Sequence, residues 1–342
     1  MNAAMLDQSE PKASALTMQA IVQDLYGPAP EDVLRLREAP RPVVGDGEVL
    51  VRVAAASVDR GTWHVMAGMP YLMRVAGFGV RRPKALNPGR CFAGTVAAVG
   101  AGVTGFSAGD EVYGTTAGTF AEYVVAEPGK LAPKPATLSF EQAAAVPISG
   151  VTALQAVRDR GRVQAGEQVL IIGASGGVGT FAVQIAKAFG AEVTGVASTS
   201  KVDMVRSIGA DHVIDYTKVD IAETGERYDV ILDIGGSSAV AHLRRALTPK
   251  GRLVIVGGMS DGHWLGGIDR QLRAQLLSPF VGQKLGTFVA SENAGDLTAL
   301  RELIDAGKVT PAIERAYTLA EAPAAIRSLL DGTVRGKVVI RI

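Results

Sequence analysis

The sequence predicts an α/β protein in two parts, a β-rich small barrel or twisted sheet followed by a doubly wound parallel sheet. Three observations carry that prediction. The chain has 342 residues, room for two domains at roughly 150 residues each. Its texture changes near residue 145, from short alternating runs punctuated by Gly, Pro and Asp to buried-type strands alternating with helical patterns. A glycine-rich strand-to-helix turn follows at 173–179.

Composition narrows the function classes. Lys plus Arg number 35 and Asp plus Glu 34, a formal charge of +1, too balanced to advertise nucleic acid or an anionic membrane as partner. The 41 glycines against 16 prolines point to tight turns. One cysteine, Cys91, excludes an intrachain disulfide and a multi-thiolate zinc site, and fits a reducing compartment. Residues 1–17 lack a basic start and an apolar core, so they read as a frayed tail, not a signal peptide. The weakly polar run 143–157 is interrupted by Pro147, Ser149, Gly150, Thr152 and Gln155, so it is no membrane span. The expected location is cytoplasmic.

The elements follow in order. A first strand begins near Met18. Short strands are expected at 48–53, 93–100, 111–113 and 120–125, each rich in β-branched or aromatic residues. Parallel strands are expected at 168–172, 192–197, 212–214, 230–233 and 252–256, with helices between them. Val178, Phe181, Ala182, Ile185, Ala186 and Phe189 mark one helical face, which Gly190 ends. Alternation returns in Gly336-Lys337-Val338-Val339-Ile340, a segment expected to rejoin the first part.

The turn Gly173-Ala174-Ser175-Gly176-Gly177-Val178-Gly179 carries the glycines of a dinucleotide site. Gly173 permits the turn, Gly176 and Gly177 open the backbone N–H groups to a pyrophosphate, and Gly179 lets the helix lie close to its strand. The helix dipole favours the phosphates. A P-loop would need Gly-Lys-Ser/Thr where the chain has Val178-Gly179-Thr180. A G-x-S-x-G hydrolase elbow fits residues 173–177, with His212, His242 and His263 downstream, but leaves Gly179 unexplained. At the tip of the second strand, Ala197-Ser198-Thr199-Ser200-Lys201 offers hydroxyls and a cation in place of a carboxylate. That chemistry favours NADP(H) over NAD(H), with Ser198, Thr199 and Lys201 on the 2′-phosphate. Ser198 also suits a helix N-cap.

Several segments resemble the medium-chain dehydrogenase/reductase superfamily, and within it the zinc-independent quinone oxidoreductase (zeta-crystallin-like) branch near the reticulon-interacting oxidoreductases. They are Ala55-Ala56-Ser57-Val58-Asp59, Pro88-Gly89-Arg90-Cys91-Phe92-Ala93-Gly94, Gly109-Asp110-Glu111-Val112, Pro147-Ile148-Ser149-Gly150, the glycine turn, Gly209-Ala210-Asp211-His212 and Gly336-Lys337-Val338. The resemblance implies a GroES-like β-rich catalytic domain (18–145 plus 291–342), a Rossmann NADP-binding domain (146–290), a cleft between them, and a homodimer. Zinc members carry ligands where this chain has Asp59, Arg90 and Ile148. Arginine and isoleucine cannot ligate zinc, so no metal is expected.

Carried over by resemblance, Gly176, Gly177, Val178 and Gly179 hold the pyrophosphate. Ser198, Lys201 and Tyr216 surround the 2′-phosphate and adenine, and Thr152 approaches the nicotinamide. Val256, Gly257 and Gly258 flank the nicotinamide ribose, Phe288 and Val289 bind the carboxamide, and Lys337 reaches back to the cofactor. Asp59 stands where the family has an asparagine. With Tyr71, Arg90 and Trp63 it is the candidate acceptor pocket, while His64 reads as an ordinary polar residue. Without a Lewis acid a small-molecule quinone or enone is the fitting acceptor. Two alternatives stand beside it. One is an enoyl-thioester reductase using the basic cluster Arg74, Arg81, Arg82 and Lys84, and the other is an NADPH-binding regulatory protein.

Overall fold

The computed structural model describes residues 16–236, 238–257 and 268–342. Strands β1 (Thr17–Gln23) and β2 (Leu34–Pro40) pair as an antiparallel ribbon. Strands β3 (Val49–Val58), β4 (Cys91–Val99), β5 (Glu111–Thr115), β6 (Tyr123–Ala126) and β7 (Leu131–Pro133) then form an antiparallel array around β3. β3 serves two cores. Val49, Val51 and Val53 pack with Phe92, Val112 and Leu131, whereas Ala56 and Val58 pack with Met66, Ile326 and Ile340. A register shift between Val53 and Ala55 changes which face each residue presents.

The second sheet is parallel, with β8 (Gln168–Ile172), β9 (Glu192–Ala197), β10 (His212–Asp215), β11 (Tyr228–Asp233), β12 (Leu247–Ile255) and β13 (Lys284–Thr287). Their spatial order is β10-β9-β8-β11-β12-β13, which reverses between β8 and β11, the place where such sheets bind ligands. Val169, Leu170 and Ile171 of β8 and Val230, Ile231 and Leu232 of β11 are buried, because helices cover both faces. β12 starts earlier than its apolar run, at Leu247, where it pairs with Tyr228. β13 has no sequence signal: Lys-Leu-Gly-Thr is short, and only Leu285 is buried.

The chain then returns to the first sheet. β15 (Lys337–Arg341) lies between β14 (Ile313–Thr318) and β3, with Val338 opposite Val58 and Ile340 opposite Ala56. The helix Ala294–Asp305 places Leu297, Leu300 and Ile304 in the largest core. The buried Tyr113 hydroxyl of β5 donates to Leu297 O at 2.6 Å. Strand β5 is thereby tied to a helix almost two hundred residues later.

Candidate active site

A cavity of about 910 Å³ opens at the carboxyl ends of β8, β9, β11 and β12. One wall comes from the β3-to-helix junction, with Asp59, Arg60, Gly61 and His64, and the other from the C-terminal segment with Val334, Gly336 and Lys337. Its floor is the glycine turn. Gly173 turns the chain at φ +83°, and a Cβ on Gly179 would stand 2.0 Å from Gly173 O, so glycine there sets the helix against the strand. Gly179 itself does not line the cavity. The Gly176 N–H is spent inside the turn, donating to Gly173 O at 3.1 Å. The helix Gly177–Ala188 has no capping side chain, which leaves the first-turn N–H groups of Gly177, Val178 and Gly179 as its orphan donors.

Gly177 is bare for a reason absent from the sequence pattern. A Cβ there would meet Lys337 Cδ at 2.9 Å and Ser149 Oγ at 3.3 Å. Lys337 is 2% exposed, and its ammonium donates to the neutral Ser149 hydroxyl at 3.2 Å. Gly336 N donates to Ser175 O at 2.8 Å, which pins β15 against the turn. A buried cation facing orphan N–H groups is suited to a pyrophosphate. The residues present therefore fit a dinucleotide.

The remaining expected cofactor residues divide. Thr152, Ser175, Ser198, Lys201, Tyr216, Val256 and Gly257 line the cavity, and Gly258 lies outside the described residues. Thr152 Oγ1 donates to Ile148 O at 2.7 Å, leaving only its lone pairs for the cavity. Thr199 does not line the cavity. It donates to Asp215 Oδ2 at 2.6 Å and meets Thr217 Oγ1 at 3.0 Å, because the end of β10 supplies a carboxylate that the end of β9 lacks. Hydrogen bonds from Thr199, then Thr217, hold the Asp215 carboxyl down at about 2. Ser198 makes no cap bond. Lys201 donates to Gly332 O at 2.7 Å and Val334 O at 2.9 Å. Phe288 and Val289 also miss the cavity. Phe288 packs on the main core, with the Arg160 guanidinium 5.5 Å from its ring centre, and Val289 is 92% exposed.

The expected acceptor residues are not one cluster. Asp59 lines the cavity but caps the helix Arg60–Ala67, accepting from Thr62 N at 3.0 Å, while the Cys91 thiol lies 3.8 Å away. Arg90 belongs to a second cavity of about 390 Å³ and pairs with Glu292 at 3.2 Å. Tyr71 and Trp63 line neither cavity. Arg74 stacks on the Tyr71 ring, and Trp63 Nε1 donates to Pro28 O at 3.2 Å. Arg74 leaves the basic cluster in the same way, donating to Gly68 O and Ala67 O. His64, treated as an ordinary residue above, does line the cavity. Its Nδ1 donates to Met69 O at 2.8 Å, and burial holds its pKa below the usual imidazole value. Ser149, Asp220 and His242 line it too. Ser149 lies in the Pro147-Ile148-Ser149-Gly150 segment and His242 entered only with the hydrolase-elbow reading, whereas Asp220 carried no sequence signal, since it meets His242 through packing of distant segments.

Among the described residues no three His, Cys, Asp or Glu side chains gather as a metal site. Asp59, Arg90 and Ile148 do not supply one either.

With this geometry in hand, the chain belongs to the zinc-independent quinone/enone oxidoreductase branch of the medium-chain dehydrogenase/reductase superfamily. It is an NAD(P)H-dependent oxidoreductase. The alcohol dehydrogenase GroES-like domain model matches residues 45–136, and the zinc-binding dehydrogenase model matches residues 208–340. The mitochondrial NAD(P)H oxidoreductase RTN4IP1 of Mus musculus is 34% identical, covering 98% of this chain and 91% of its own. The chloroplastic NADPH-dependent alkenal/one oxidoreductase of Arabidopsis thaliana is 33% identical over 89% of this chain and 80% of its own. The solved quinone oxidoreductase from Coxiella burnetii superposes with a TM-score of 0.84 at 29% identity, covering 96% and 100%.

These matches correct one expectation. The RTN4IP1 relative is mitochondrial and the alkenal/one oxidoreductase chloroplastic, not cytoplasmic. A balanced charge and a single cysteine describe a solvated, thiol-poor surface and do not single out a compartment.

Proposed function

We propose that this chain transfers hydride from NADPH, in preference to NADH, to a small quinone or an α,β-unsaturated carbonyl. The observation that carries the dinucleotide placement is Lys337, a buried ammonium whose hydrogen-bond partner is neutral, set against the orphan N–H groups of the glycine turn. When bound, the cofactor supplies the hydride. The chain binds and orients it: Gly177, Val178 and Lys337 take the pyrophosphate, and Thr152, Val256 and Gly257 border the nicotinamide end. Asp59, Arg60 and His64 form the wall facing that end. Neutral His64, anchored through Nδ1, presents Nε2 as an acceptor. Asp59 is likewise acceptor-only as a carboxylate, so the negative charge that develops on the reduced acceptor is left to water.

Two features support NADPH. Lys201 and Ser198 line the adenosine end, and the nearby carboxylate of Asp215 is turned to Thr199, Thr217 and Lys218 instead of the cavity. The test is oxidation of NADPH and NADH, followed at the nicotinamide absorbance, with 1,4-quinones and alkenals and with or without a chelator. Activity unaffected by the chelator is expected. Lys201→Ala should weaken NADPH more than NADH, and equal losses would contradict the 2′-phosphate assignment.

A further inference from the structure

Tyr216, Val219, Asp220, Ile221, Ser238 and His242, from the segments that follow β10 and β11, also wall the cavity. That wall is where the purine of a dinucleotide arrives once its pyrophosphate lies on the glycine turn and its ribose at Ser198 and Lys201. That placement rests on the function proposed above. We propose that Asp220 reads the 6-amino group of that purine, so that the protein takes an adenine dinucleotide and discriminates against its hypoxanthine counterpart.

The protonation pattern follows from the neighbours. A guanidinium has donors only, so Arg245, 3.0 Å from His242 Nδ1, donates to it. Nδ1 is therefore bare, and the proton sits on Nε2, which stands 2.8 Å from Asp220 Oδ1. The same Oδ1 accepts from Ala222 N at 2.8 Å. Among the described residues Oδ2 has no hydrogen bond. Asp220, whose side chain is 45% exposed, thus keeps one acceptor-only oxygen unengaged, with His242 as its positioning residue. Adenine offers an N–H₂ at position 6, whereas hypoxanthine offers a carbonyl oxygen, which a carboxylate repels. Because Asp220 is half exposed, water can pair its oxygen when the donor is lacking, so the discrimination comes from attraction to the amino group against repulsion of the carbonyl oxygen.

Affinities of NADPH and its deamino analogue, the nicotinamide hypoxanthine dinucleotide phosphate, are to be measured by nicotinamide fluorescence. The wild type should favour NADPH by about fivefold, the scale of one solvent-exposed charged contact. Asp220→Ala should bring the two within about twofold, the range left when one charged hydrogen bond is removed. Asp220→Asn is the sharper variant. Two donors face Oδ1, so the amide oxygen stays there and the NH₂ takes the place of Oδ2, which should shift preference towards the hypoxanthine form. His242→Ala should narrow the ratio, and His242→Gln, which can donate from a similar position, should restore it. Equal affinities in the wild type overturn the proposal and leave the cofactor assignment intact. No binding of either dinucleotide overturns both.

Discussion

Lys337 shows how a single residue changes meaning between sequence and structure. In the sequence it is one lysine of an alternating strand, and only the fold buries it beneath the glycine turn, where it touches the space a Gly177 side chain would need. Removing this charge should have opposite effects on binding and stability. Lys337→Met should weaken NADPH by tenfold or more, since a charged hydrogen bond contributes about 1.5–3 kcal/mol. The melting temperature should hold or rise, because the desolvated cation is gone. Fluorescence titration and thermal unfolding check the two halves. Cys91 behaves in the opposite way. Burial first, and the Asp59 carboxylate next, push its thiol up to about 12, so at pH 8 almost none is thiolate. A disulfide reagent should leave the native protein unmodified at pH 8 and titrate one thiol only after denaturation. Rapid labelling of the native protein would contradict that burial. Residue roles were legible where backbone chemistry dictates them, as at Gly173 and Gly179. They were not where they depended on side-chain neighbours: Thr199 fits a phosphate by type, yet a carboxylate from the next strand accepts its hydrogen bond.

At the scale of elements, the parallel strands β8 to β11 were legible because strands covered on both faces must be continuously apolar. The strand β13 was not, since a four-residue edge with one buried side chain leaves no period to detect. The helix Ala294–Asp305 illustrates a different gap. Its apolar stripe is readable, but its partner is not. Tyr113, buried on β5, selects it through the 2.6 Å bond to Leu297 O. Tyr113→Phe removes that carbonyl's second donor, beside the helical N–H, and should destabilise the fold by about 0.5–1.5 kcal/mol, read as a lower urea midpoint at unchanged slope. An unchanged midpoint would show that water replaces the phenol.

At the scale of the whole molecule, β13 is the outer strand of its sheet, and Leu276 and Phe280 beside it are 72% and 85% exposed. An unpaired edge flanked by apolar side chains is a ready template for a second copy. The expected homodimer should elute with light-scattering mass near twice 35.5 kDa, and Phe280→Glu should shift it towards monomer. A monomeric wild type would contradict this assembly. The sequence by itself determined the two sheet types and the glycine turn between strand and helix, because these depend on local backbone needs that no packing can alter. The tertiary structure alone decided which side chains face the cavity. It brought Lys337 to the turn and Asp220 to His242, and it sent Arg90, Tyr71, Phe288 and Val289 elsewhere. Such choices are made by contacts between residues tens to hundreds of positions apart, which leave no periodic trace along the chain.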